Sequence, residues 1–163
     1  MDRYLGGEKQ IPDNLFLMRG RVEMQLMDAV GNPVGDRQVS NTVVTAGRRW
    51  ILENIYSGGA ASAQVINNAA FGTSTTAPAT SDTALGSEAT RKTIASFDTT
   101  NLTSNPPSWQ AILTLATDEG NTTLGEAGLF NSSSGGTMLN RATFSTIDKA
   151  TSNTLAVTFT ISG

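Results

Sequence analysis

The stretch GEAGLFNSSSGGTMLNRATF, residues 125–144, reads as strand, turn, strand. An apolar run from Ala127 to Phe130 stops at the tip Ser132-Ser-Ser-Gly-Gly, and a second run resumes at Met138. Glu126 opens the first run and Arg141 stands within the second, so the hairpin sets an acid and a base among its core residues. An enzyme uses such a pair for proton transfer, and a structural protein uses it to fix one packing arrangement. The rest of the chain decides between them.

Outward from this hairpin the chain is mostly strand and turn. From Arg21 the pattern alternates, with Val22, Met24 and Leu26 on one side and Arg21, Glu23 and Gln25 on the other. Gly31, Asn32 and Pro33 turn the chain, and a second strand runs from Val39 to Val44, closing a first hairpin over 21–44. One helix is expected over 45–57, with Thr45 as N-cap, Gly58 and Gly59 as its end, and Ile51 and Ile55 on one face flanked by Leu52 and Tyr56. Val65 to Phe71 reads as a strand, 72–83 as a Thr/Ala/Pro loop, and 82–88 as one helical turn. Arg91 to Thr100 and Trp109 to Thr117 are strands, with Trp109, Ala111, Leu113 and Leu115 sharing a face. Asp118 to Thr122 is a tight turn, and in the last strand Leu155, Val157, Phe159 and Ile161 alternate with Ala156, Thr158 and Thr160. The expected fold is mainly β: an antiparallel β-sandwich over 21–163 with one short helix, preceded by an extended N-terminal arm over 1–20.

Composition agrees. Threonine is nearly as frequent as all charged residues together, and charged residues are only 15% of 163. Lysine is rare, which suggests a surface partly covered by partners. A net charge of −3 supplies no attraction for nucleic acid or an anionic membrane. With neither Cys nor His, disulfides, zinc sites of the usual kind, cysteine nucleophiles and Ser-His-Asp triads are excluded. The opening MDRYLGGEKQIPDN has no apolar core of a secretory signal, and no apolar stretch has the length of a membrane span, so a soluble protein made in a cytoplasm is expected. The arm ends in the run Leu15, Phe16, Leu17, Met18, which is costly to leave in water and is expected to dock on this domain or a neighbour.

Four charges lie in or beside expected strands: Glu88, Arg91, Glu126 and Arg141. Carboxylate catalysis needs two acids across a cleft, whereas interior hairpin positions suit a partly buried ion pair. No catalytic residue is expected, and Glu126 is read as pairing with Arg91 or Arg141. Asp118, Glu119 and Asn121 offer fewer carboxylates than a calcium loop, and neither Gly pair belongs to a phosphate loop, so no metal and no cofactor are expected. Trp50 and Trp109 are read as core or interface residues. Arg48 and Arg49 oppose the dipole at the start of the helix, which points to carboxylate partners such as Glu126 or another chain.

Several segments, in order, look familiar. Asn41-Thr-Val-Val-Thr-Ala-Gly-Arg resembles an N-x-V-x-x-A-G-R segment of small virion proteins of tailed bacteriophages. Gly72 with its Thr/Ala/Pro loop, then Thr83-Ala-Leu-Gly-Ser-Glu and Arg91, is similar as well. Glu126-Ala-Gly-Leu-Phe-Asn, Gly136-Thr-Met-Leu-Asn-Arg with Phe144, and the closing Leu155 to Ile161 strand complete the set, which covers about 40–163. The resemblance is to a β-sandwich module of capsid decoration (cement) proteins and of the attachment domains of tail or collar fibres.

That resemblance implies a non-enzymatic virion structural protein, made in the host cytoplasm and commonly trimeric. The expected role is a cement protein on the major capsid protein, clamping neighbouring capsomers through Tyr4, Leu5, Ile11, Leu15, Phe16 and Leu17 of the arm. The alternative is an adaptor on tail, neck or baseplate, holding a fibre. Fibre proteins continue into a shaft, and this sequence stops soon after Ile161, which favours cement.

Overall fold

The computed structural model describes residues 18–56 and 65–163. In chain order these form β1 (Arg19–Met27), β2 (Pro33–Val43), α1 (Thr45–Tyr56), β3 (Asn68–Gly72), β4 (Glu88–Thr93), β5 (Ser96–Asp98), a 3-10 turn (Thr100–Thr103), β6 (Ser108–Leu115), β7 (Thr123–Phe130), β8 (Met138–Asp148) and β9 (Thr154–Ser162). The protein is mainly β; among the described residues the strand pairing is antiparallel throughout and there is one short α-helix.

The nine strands lie in the order β4-β3-β7-β8-β2-β1-β9-β6-β5. The expected sandwich is one sheet, curled until its halves face each other. Phe71 on β3 and Phe159 on β9, far apart in strand order, meet with ring centroids 6.4 Å apart. The turning point is β2. Its first part pairs with β1, and only Thr42 and Val43 pair with Arg141 and Asn140 on β8. Where β2 and β8 then part, Arg37 bridges the gap: its Nε donates to the Ser145 carbonyl at 2.9 Å and its Nη2 to that of Thr146 at 3.1 Å.

The alternating positions read from sequence fill the space between the halves: Val22 and Met24, Ala111, Leu113 and Leu115, and Leu155, Val157, Phe159 and Ile161 are all buried in one cluster. The two outermost strands, β4 and β5, are joined by Ile94–Ala95. Ile94 N–H donates to the Asn67 carbonyl at 2.9 Å and Ala95 N–H to that of Ile112 at 3.1 Å, so this link stitches the two edges of the curl together.

The link corrects the single strand expected over 91–100, because the backbone switches partners there, from β3 to β6. The helical turn expected over 82–88 does not form: Asp82 instead accepts from the Ala79 N–H, and the N–H groups of Gly86 and Ser87 are taken by Glu126. The strand expected from Val65 begins at Asn68, and β1 begins at Arg19, inside the expected arm. On α1, Trp50 and Ile51 pack on the core while Leu52 is 63% exposed. Gly58, Gly59 and the arm residues Tyr4, Leu5, Ile11, Leu15, Phe16 and Leu17 lie outside the described residues.

Candidate functional site

The outer face of β4-β3-β7-β8 is covered by the loop 73–87 and by the entry to α1. Ala70, Phe130 and Met138 from the strands meet Val44 and Leu85 there in a second, smaller apolar cluster. Leu124 and Ala127 both face the main core although they are three positions apart, which strict alternation forbids. A register shift between Leu124 and Glu126 against β8 resolves this and turns Glu126 to the outer face, under the loop.

Glu126 is 0% exposed, and both of its carboxylate oxygens are occupied. Oε1 accepts from the Ser87 N–H at 2.6 Å. Oε2 accepts from the Gly86 N–H at 2.9 Å and from Arg141 Nε at 2.8 Å, with Arg141 Nη2 also 2.8 Å away. Arg141, 4% exposed, reaches on to Asp82 Oδ2 at 2.8 Å and Ser74 Oγ at 3.4 Å. Burial opposes the guanidinium charge, but the bonds to Asp82 and Glu126 outweigh it and raise its pKa above the ordinary value. The Ala79 N–H, and then Arg141, hold the Asp82 carboxyl below the usual carboxylate range.

The cradle is full. A Cβ on Gly72 would stand 2.5 Å from Glu126 Oε1, and one on Gly86 would stand 2.7 Å from Ser74 Oγ and 2.9 Å from Arg141 Nη2. Chemically the arrangement closes a loop over a sheet: a buried carboxylate caps two loop amides, and one arginine ties sheet to loop through two acids and a hydroxyl.

Of the two partners read for Glu126, the structure supplies Arg141 and gives Arg91 another role. Arg91 donates through Nε and Nη2 to Glu88 at 2.8 and 2.6 Å, and its Nη1 holds the Ser132 and Gly135 carbonyls at 2.9 and 2.8 Å. Its guanidinium carbon lies 3.8 Å from the centre of the Phe130 ring. The expectation that Arg48 or Arg49 seeks Glu126 is also corrected for Arg49, which pairs with Glu53 one helical turn on at 2.6 Å.

Two features escaped the sequence reading. Asn140, fully buried on β8, turns its Oδ1 to the Leu129 N–H at 3.0 Å, beside the ladder shift at Leu129/Phe130. Lys149, 2% exposed, donates to Asn121 Oδ1 at 2.9 Å and to the Ala150 carbonyl at 3.3 Å; burial pushes its pKa down, against the pull of Asp118 and Glu119. A buried lysine with side-chain and carbonyl partners has no sequence signature. The 118–122 turn beside it is organised by Glu119, which accepts from the Ala116 N–H at 2.7 Å and pairs with Lys92. Among the described residues no group of three or more His, Cys, Asp or Glu is placed to hold a metal ion, and no helix is long and apolar enough to cross a membrane.

A groove of about 380 Å³ opens elsewhere, between α1 and the β5–β6 edge, lined by Trp50, Val65, Ile66, Phe97, Thr99 and Trp109. Trp109 and Phe97 meet there with ring centroids 6.0 Å apart.

Comparison of the chain with protein-family models, with curated proteins and with solved structures found no match.

Proposed function

We propose that this chain is a structural protein of a tailed-bacteriophage virion, a cement protein that binds the major capsid protein and stabilises neighbouring capsomers. One observation supports the reading above the others: the separated segments that carry the resemblance meet around one feature. Gly47 of the first segment lies against the Leu139 backbone, Gly72 and Ser87 of the second against Glu126, and Gly86 against Arg141 of the third. Gly72, Gly86, Ser87, Glu126 and Arg141 are thus parts of one latch that holds the 73–87 loop to the sheet, with Gly47 packed on the same strand as Arg141.

The latch favours a binding role over catalysis. Glu126 is fully buried and its oxygens accept from two loop amides and from Arg141, so the carboxylate serves packing and is closed to a substrate. Cementing needs only interface free energy: a homotrimer would present three equivalent surfaces, and several modest contacts linked through one assembly would bind with high avidity. The arm that carries Tyr4, Leu5, Ile11, Leu15, Phe16 and Leu17 is assigned to the clamp, whether a given side chain anchors the arm or contacts the capsid. The protein would be made in the host cytoplasm and reside on the virion.

The test is binding of the purified protein to empty capsids and to tails, each isolated from particles that lack it. Saturable binding to capsids, lost on deletion of residues 1–17, is expected. Binding to tails alone would replace cement with a tail or neck adaptor, and binding to neither would remove the virion role.

A further inference from the structure

The groove at Trp50, Val65, Ile66, Phe97 and Trp109 is apolar and open, with Val65 58% and Phe97 46% exposed. An apolar recess of this kind is unfavourable unless something covers it. The start of β1 stands beside it. Gly20 on β1 pairs with Ile161 on β9, and Ile161 pairs with Trp109 on β6, so the three form one row across adjacent strands. At roughly 4.8 Å per strand, Trp109 is about 10 Å from Gly20. Met18 packs against the same core cluster as Trp50, Ile51 and Trp109.

The chain immediately before Met18 reads Ile11-Pro-Asp-Asn-Leu-Phe-Leu, ending in three large apolar residues. Seven extended residues span about 24 Å, ample to cross from β1 to the far wall of the groove. A second feature asks for a backbone at this end of the sheet. Asn41 pairs with Gly20 in the same row and lies over it, a Cβ on Gly20 falling 2.5 Å from Asn41 Cγ. Both polar atoms of the Asn41 amide are buried without a hydrogen-bond partner, and a passing strand of main chain carries the donor and acceptor they lack.

We infer that the groove is the seat of residues 11–17 of the same chain, with Leu15, Phe16 and Leu17 covering Phe97, Val65 and the two tryptophans. Tethering at Met18 makes this an intramolecular event at high effective concentration, which favours the chain's own segment over a second copy's. The arm is then anchored at its root, and the first ten residues, with Tyr4 and Leu5, have a reach of about 34 Å toward a neighbour. The seat stands on the groove and the sequence beside it, whatever the protein binds.

The chain has only two tryptophans, and both line the groove, so intrinsic fluorescence reads its occupancy directly. Deleting residues 1–17 is expected to shift the emission to longer wavelength and to steepen acrylamide quenching. A synthetic peptide of residues 8–17 should reverse both changes saturably. The triple substitution Leu15→Asp, Phe16→Asp, Leu17→Asp in the 163-residue chain should reproduce the shift, with far-ultraviolet circular dichroism confirming the sheet. Unchanged emission in both variants would overturn the seat. So would a shift in the undeleted chain that appears on dilution together with a fall in particle mass by light scattering, because the groove would then be filled by a second copy. Failure of the undeleted 163-residue chain to bind capsids or tails, with an intact fluorescence response, would remove the virion role and leave the seat standing.

Discussion

Arg91 and Arg141 stand at opposite ends of one cross-strand row, Arg91–Ala70–Gly128–Arg141, on the outer face of β4, β3, β7 and β8. The small residues between them leave room for what must sit on top. A Cβ on Gly128 would already be 3.2 Å from Leu85 Cδ2 and 3.5 Å from Phe130 Cε2. A second row, Glu88–Gly72–Glu126, runs alongside with the acids at the matching ends. Each arginine thus meets the acid of the next row: Arg91 meets Glu88 and Arg141 meets Glu126. Arg91 fastens the β7–β8 turn and Arg141 fastens the 73–87 loop, so one patterned sheet face holds down two irregular segments.

Replacing Glu126 with Gln keeps the shape and removes the charge. The amide can accept at one position only, and its NH2 faces either a loop N–H or the Arg141 guanidinium, donor against donor. Breaking a buried pair from one side costs about 3–5 kcal/mol. At about 2–4 °C per kcal/mol for a chain of this size, Glu126→Gln should lower the midpoint of thermal unfolding by roughly 6–20 °C. Circular dichroism melts check this, and an unchanged midpoint would show that the latch contributes nothing.

Arg91→Lys retains the charge and loses the fork. An ammonium cannot chelate Glu88, hold two turn carbonyls and lie flat on Phe130 at once. A loss of about 1–2 kcal/mol is expected. Hydrogen exchange should quicken at the amides of 133–137 before it does elsewhere. Equal quickening throughout the sheet would place the effect on global stability instead.

The two arginines also mark how far the sequence could be read. Alternation in β1, β6 and β9 was legible because each strand has one buried and one open face, and period two follows directly. The ion pair was legible as a pair, since a carboxylate among apolar strand residues needs a cation, but two arginines satisfied that demand equally. The choice depends on the bulge at Leu124–Glu126, a backbone event with no side-chain signature. Asp82 and Ser74 were hidden because they reach the site from a loop, where burial leaves no periodic trace. Arg37 carries no signature in the local pattern, yet it spans the split between β2 and β8. Long-range pairing of strands, and the gaps it leaves, cannot be seen in local pattern.

Asp82 makes the loop sensitive to acid. Its pKa lies below the ordinary 3.8, held there first by the Ala79 N–H and then by Arg141. A depressed carboxylate stabilises the fold fully above the unfolded value and loses that contribution as pH falls through the folded one. Glu119, lowered by the Ala116 N–H and then by Lys92, adds with the same sign. The parent should therefore exceed Asp82→Asn in stability above about pH 4, and the gap should close toward pH 2. Urea unfolding at several pH values measures it, and a gap independent of pH would mean that Asp82 acts through shape alone.

Lys149 works at the opposite end of the scale. Burial depresses its pKa from the ordinary 10.5, with Asp118 and Glu119 pulling the other way. Between the folded and unfolded values the unfolded chain binds more protons, so the stability contributed at this position rises with pH across that window. Lys149→Met removes the titration. The stability difference should move in the parent's favour as pH rises toward 10.5, and a difference flat in pH would assign Lys149 an unperturbed charge.

Gly47 tests how the helix entry meets the sheet. Alanine in place of a helical glycine ordinarily gains about 1 kcal/mol in helix propensity. Here a Cβ would stand 2.7 Å from Leu139 Cα, against backbone that is itself fixed by the Val44 N–H donating to the Leu139 carbonyl at 3.1 Å. Neither side can yield without lifting α1 from β8, and overpacking of this kind costs about 1–3 kcal/mol. Gly47→Ala should therefore destabilise the protein despite the propensity gain. Gly35→Ala is the control, because its Cβ meets nothing nearer than Leu26 Cβ at 3.9 Å. Parallel denaturant titrations should show a loss at position 47 and little change at 35. If both variants are equally stable, the helix entry is not in contact with Leu139, and the cover over the second apolar cluster must be held by the 73–87 loop alone.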